Sequence, residues 1–184
     1  MEADGVVYTY GRGLHAIDAA IHHSLRWTWE YLPEIPVGGG GGMLAVGREA
    51  VVVANEGYLG AFRRDTGTPL WAEQGVRRED GYFEVFSGLV TLGEVVYVGR
   101  GLSTPGFRIE ARTQTTGALR WLWPGDSTIL NFDDAWRFRG AGDTLYIPSR
   151  DHIWGLRAAD GQELWQREFP RTPTAFLAVT EAGV

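Results

Sequence analysis

Glu49-Ala-Val-Val-Val-Ala-Asn-Glu-Gly57, Tyr58-Leu-Gly-Ala-Phe-Arg-Arg-Asp65 and Thr66-Gly67-Thr-Pro-Leu-Trp71 follow one another without a break. An apolar run, a glycine turn, a second apolar run, a Thr-Gly turn and a short segment ending on tryptophan make up the unit. Both runs are rich in β-branched and aromatic residues and are bounded by Gly, Asn and Asp, which reads as strand, turn, strand, turn, strand.

The unit returns on both sides. The third copy is Val95-Val-Tyr-Val-Gly99, Phe107-Arg-Ile-Glu-Ala111 and Thr116-Gly117-Ala-Leu-Arg-Trp121. The fourth is Thr144-Leu-Tyr-Ile-Pro148, Ile153-Trp-Gly-Leu-Arg157 and Asp160-Gly161-Gln-Glu-Leu-Trp165. The first, Val6-Val-Tyr-Thr-Tyr10, Leu14-His-Ala-Ile-Asp18 and Arg26-Trp27, has lost the glycine turn and carries Ala20-Ile-His-His-Ser24 in its place. The tryptophans Trp27, Trp71, Trp121 and Trp165 are spaced by 44, 50 and 44 residues. That step is one four-stranded blade, so the spacing predicts an all-β β-propeller of four blades with little or no helix.

Each blade needs one further strand ahead of the repeat. Met43–Val46, Tyr82–Phe86 and Ala135–Phe138 serve copies two to four. Copy one has only Met1–Gly5 before it, and the run Thr174–Val179 near the C-terminus is expected to supply its missing strand. The predicted blades are 174–184 with 5–31, then 43–74, 82–123 and 134–168, all in one domain spanning 1–184. Closure through the termini leaves no strand edge exposed. Three arrangements satisfy it: a four-bladed ring, an eight-bladed homodimer by exchange of ends, or four blades of a longer chain.

The spacing Ala-x-x-x-x-Thr-Gly-x-x-x-Trp, met at Ala61, Thr66, Gly67 and Trp71 and again at Ala111, Thr116, Gly117 and Trp121, resembles the tryptophan-docking motif of the PQQ-like propellers. These are the quinoprotein alcohol dehydrogenases and their cofactor-free relatives, including outer-membrane assembly lipoproteins. Copy four departs with Gly155 for the alanine and Asp160 for the threonine. The resemblance implies that Trp27, Gly67, Trp71, Gly117, Trp121, Gly161 and Trp165 are structural anchors between blades. It also implies what an enzyme of the family would carry: calcium and quinone sites built on acidic, amide and adjacent-cysteine residues. This chain has no cysteine and no matching cluster, so a non-enzymatic member without cofactor is expected, and PQQ-dependent oxidation is the least favoured reading.

Composition narrows the functions further. A formal charge of −6 argues against a phosphate-binding surface, hence against nucleic acid. All 17 basic residues are arginine, which removes Schiff-base chemistry and a phosphate-loop lysine. No stretch reaches the roughly 18 apolar residues of a membrane helix, and no basic leader opens the chain. A soluble protein, cytoplasmic by default, is expected.

The remaining chemical candidates read as structure. His22-His23 diverge on a turn with no third ligand near in sequence, and Asp133-Asp134 with Asn131 and Asp126 lacks the glycine-spaced loop of a calcium site. The run Gly38–Gly42 has no lysine or hydroxyl partner and reads as a connector. Trp29 and Trp123 share a face with Trp27 and Trp121 and are expected to be buried, whereas Trp136 and Trp154 fall outside the docking position. Loops on a rigid scaffold carry function, which makes Arg77, Arg78, Phe132, Asp133 and Asp134 candidate contact residues. Together these readings point to a scaffold for a protein partner, with a small-molecule module using the propeller channel as the alternative.

Overall fold

The computed structural model describes residues 2–11, 13–20, 22–30, 42–55, 57–76, 85–102, 106–124, 138–148 and 152–168. They form sixteen strands and, among the described residues, no helix. Blade 1 holds β1 (Glu2–Ala3), β2 (Val6–Tyr10), β3 (Gly13–Asp18) and β4 (Leu25–Glu30). Blade 2 holds β5 (Met43–Val46), β6 (Ala50–Asn55), β7 (Tyr58–Arg63) and β8 (Pro69–Gln74). Blade 3 holds β9 (Val85–Leu92), β10 (Val95–Leu102), β11 (Gly106–Thr113) and β12 (Leu119–Trp123), and blade 4 holds β13 (Arg139–Ala141), β14 (Thr144–Pro148), β15 (His152–Arg157) and β16 (Glu163–Glu168). Each is an antiparallel meander in chain order.

The apolar runs of blades 2 and 3 are unbroken because those two blades are covered on both faces. Successive side chains on a strand point to opposite faces, and in β6 they divide cleanly. Val51 and Val53 enter a core shared with Val6, Tyr8 and Leu14 of blade 1, while Ala50, Val52 and Ala54 enter a core shared with Phe86, Val96 and Val98 of blade 3. On β10 the alternation continues, with Val95 and Tyr97 turned to Leu145 and Ile147 of blade 4. No such core joins blade 4 to blade 1 among the described residues. The first strands of blades 2, 3 and 4 lie side by side, β5 against β9 and β9 against β13, and β5 also meets β2, the second strand of blade 1.

Two strand expectations change. The head of the chain is not without a first strand: Glu2 and Ala3 pair with Val7 and Val6 across a two-residue turn. Asp4 and Gly5 form that turn with φ of 52° and 71°, and Asp-Gly is a preferred pair for a tight hairpin because both residues tolerate positive φ. The tail segment assigned to this position, 174–184, lies outside the described residues. In blade 3 the first strand runs past Phe86 to Leu92, because Gly88, with φ of 71°, makes a bulge opposite Val98 and Gly99 instead of ending the strand. In blade 4 the strand expected over Ala135–Phe138 lies outside the described residues except for Phe138, which is buried just ahead of a strand that begins at Arg139.

Candidate functional site

Three joints hold the four blades in order, and they are built alike. The indole N–H of Trp27 donates to the carbonyl of Arg64 (3.1 Å), that of Trp71 to Gln114 (2.7 Å) and that of Trp121 to Ala158 (3.1 Å). Each acceptor stands three residues before a glycine of the following blade. Gly67, Gly117 and Gly161 have φ between 69° and 74°. A Cβ on them would come within 2.5 to 2.7 Å of the docked indole, so glycine is required twice over, for backbone conformation and for close approach. Trp27 is buried, and Trp71 and Trp121 are half-buried.

The departures in copy four have physical counterparts. Asp160 accepts from the Gln162 N–H at 3.0 Å, as Thr66 and Thr116 accept from Thr68 and Ala118, so the turn is kept by a different side-chain oxygen. That hydrogen bond, with Arg157 beside it, lowers the Asp160 carboxyl below its usual value. Trp29 and Trp123, expected to be buried, are half-buried: Trp29 stacks along Tyr58 and tilts onto Phe62, and Trp123 meets the edge of Trp154. Each fills the flank of an inter-blade core.

Between blades 2 and 3 lies an ion network that the sequence did not announce. Glu110 on β11 is almost wholly buried and meets Arg108 (2.8 Å), Arg112 (2.7 Å) and Arg100 (3.3 Å). Glu73 of β8 reaches across to Arg100 (2.7 Å) and Arg112 (2.9 Å), so the network crosses the joint. Burial pushes the Glu110 carboxyl up, but Arg112, Arg100 and Arg108 outweigh it and hold the group below the usual carboxylate range. The alternation of Arg108, Glu110 and Arg112 along one strand face was the available signal. Tyr97, buried and donating to the Ala158 carbonyl at 2.9 Å, is pushed up to about 12 by desolvation.

On the turn side of blades 1 and 2 an open groove of about 460 Å³ is lined by Asp4, Arg26, Arg48, Glu49, Arg63, Arg64 and Asp65, with Val6 and Tyr8 at its floor. Arg64 is tied to Asp4 (2.6 Å) and Arg26 to Asp18 (2.7 Å). Arg48, Glu49, Arg63 and Asp65 are exposed and form no side-chain ion pair with a described residue. A second groove, about 540 Å³, follows β5, β9 and Gly140 of β13 where the first strands meet. Among the described residues its one charged lining residue is Arg139.

No metal-binding group of three His, Asp or Glu side chains occurs among the described residues. His22 and His23 are exposed on their turn. Arg77, Arg78, Phe132, Asp133 and Asp134 lie outside the described residues, as does Trp136. No helix among the described residues is long and apolar enough to cross a membrane.

Four four-stranded antiparallel sheets, packed face to face through recurring indoles, define a β-propeller architecture. Its solved neighbours are propellers of the PQQ-like type. They include a europium-containing methanol dehydrogenase (TM-score 0.66, 16% identity, over 92% of this chain and 41% of that one). The quinohemoprotein alcohol dehydrogenase of Comamonas testosteroni matches at 0.62 and 19%, over 90% and 33%. BamB of Moraxella catarrhalis matches at 0.58 and 14%, over 93% and 51%. The chain spans about half or less of each of these proteins. No family model matches the chain, and no curated protein matches it in sequence.

Proposed function

We propose that this chain is a non-catalytic propeller scaffold for protein–protein interaction or assembly, with a polar partner surface laid across the charged groove of blades 1 and 2. The observation that carries this reading is the set of uncommitted charges there. Arg48, Arg63, Glu49 and Asp65 are exposed, of both signs, and gathered around one open cleft. Charges so placed favour recognition of a partner with complementary potential and steer its approach. The buried charges, by contrast, are engaged with one another: Glu110 and Glu73 take up Arg100, Arg108 and Arg112, and they tie strands together.

A photo-crosslinking residue placed at position 63 is expected to give discrete protein adducts in native extract, and Arg48→Ala in the same chain is expected to diminish them. Steady dye-linked alcohol oxidation by the purified protein supplied with quinone and calcium, without adducts, would overturn the reading.

A second reading, a small ligand in the channel, has one observation in its favour. The groove along β5, β9 and β13 is within the usual size of ligand sites. Thermal-shift screening that finds a stabilising compound, with the shift removed by Arg139→Ala, would favour it over the first.

A further inference from the structure

The two outward faces of the arc carry departures from the repeat, and the departures are opposite in sense. Opposite its tryptophan, blade 4 has Gly155 where blades 1, 2 and 3 have Ala16, Ala61 and Ala111. The indole of Trp165 occupies the space in which a methyl group on Gly155 would stand, with Cε2 and Nε1 nearest. It is therefore seated lower on its own sheet than an alanine would allow. On blade 1 the turn that would receive a preceding indole is bulkier. It is one residue longer between alanine and tryptophan, and His22 and His23, with φ of 51° and 53°, stand in place of the single glycine. Inside the arc a side chain at that glycine collides with the docked ring. A lowered indole and a raised turn fit each other.

Donors on blade 4 point the same way. In blade 3 the Trp121 N–H and the Tyr97 hydroxyl both donate to one carbonyl of the next turn, that of Ala158. The equivalent pair in blade 4, Trp165 and Tyr146 with ring centroids 6.0 Å apart, donates to no described residue. All six residues of β16 are exposed. Among the described residues no core joins blades 4 and 1, and the chain covers only 41% of one solved neighbour and 51% of another.

We infer that blade 4 of one copy seats on blade 1 of a second copy, and the reverse, so that two chains close one ring of eight blades. Both junctions are then the same Trp165-to-His22-His23 joint, related by a twofold axis.

Sedimentation equilibrium of the 184-residue chain over a dilution series is expected to give twice the 20.3 kDa of one copy. Gly155→Ala, which lifts the indole, is expected to weaken self-association about tenfold, and adding His23→Gly is expected to restore most of the loss, since contacting residues couple. Trp165→Ala is expected to give monomers whose hydrogen-exchange protection in β6 is unchanged. A one-copy mass at every concentration, or a dimer indifferent to both Gly155→Ala and Trp165→Ala, overturns the inference. The crosslinking test at position 63 reads the scaffold proposal separately.

Discussion

Trp71 and Trp165 hold the same place in successive copies of one repeat, yet they live in different surroundings. Trp71 stands half-buried at a finished joint, bonded to Gln114 and set against Gly117, with the Glu110 and Glu73 network beneath the same pair of blades. Trp165 is 38% exposed on an outward strand and packs on Tyr146 and Gly155 of its own sheet. The motif thus specifies a docking group but not its burial. Burial comes from the neighbour, and the energetic weight of the residue should follow it.

Truncation offers the sharpest break between the two sites. Trp71→Ala removes a joint between two buried cores and should cost about 3–5 kcal/mol in chemical denaturation. Equal losses for Trp71→Ala and Trp165→Ala in dilute protein would show that the open and closed faces do not differ as described.

Glu110→Gln comes next, with an expected loss of about 3 kcal/mol at neutral pH, because it removes the buried carboxylate that Arg100, Arg108 and Arg112 share and leaves Arg100 and Arg112 only the half-buried Glu73. The pH dependence has a defined sign. The folded-state value of Glu110 is depressed, so its stabilising contribution is complete above the unfolded value near about 4.3 and is lost as pH falls through the lower folded value. Thermal melts of the wild type should decline more steeply on acidification in that window than melts of Glu110→Gln. Parallel declines would remove Glu110 as the acid-sensitive tie.

Gly117→Ala should cost about 2 kcal/mol, from a left-handed backbone carrying a Cβ and from displacement of the Trp71 ring. His23→Gly in dilute protein should be neutral or mildly stabilising, since no indole of the described chain rests on that turn. The smallest loss belongs to Trp165→Ala, about 1 kcal/mol, chiefly the lost contact with Tyr146. Urea midpoints measured on these variants together would rank the joints.

The blade count, the strand-turn-strand order and the glycine-to-tryptophan spacing were legible because each follows from local rules: periodicity of two, turn residues with positive φ, and repetition at a blade's length. The legible signal failed at small scale for identifiable reasons. Asp4-Gly5 is a hairpin turn too near the first residue to have been read as one, and the strand expected to stop at Phe86 runs on to Leu92 through a bulge at Gly88. Neither of the two grooves could be read. Arg48 and Glu49 precede the second strand of blade 2, Arg63 ends its third and Asp65 follows it, and only the meander brings them to one rim.

Sequence by itself determined that this chain makes four tryptophan-bearing blades, since apolar alternation and glycine placement act within a few residues of one another. Only tertiary structure decided which carbonyl each indole meets and that Glu110 is shared by three arginines with Glu73 across a joint. It also left Trp165 uncovered. Those outcomes depend on contacts between sheets about 40 or more residues apart, where the following blade, and not the local pattern, supplies the acceptor, the counter-charge and the shelter from water.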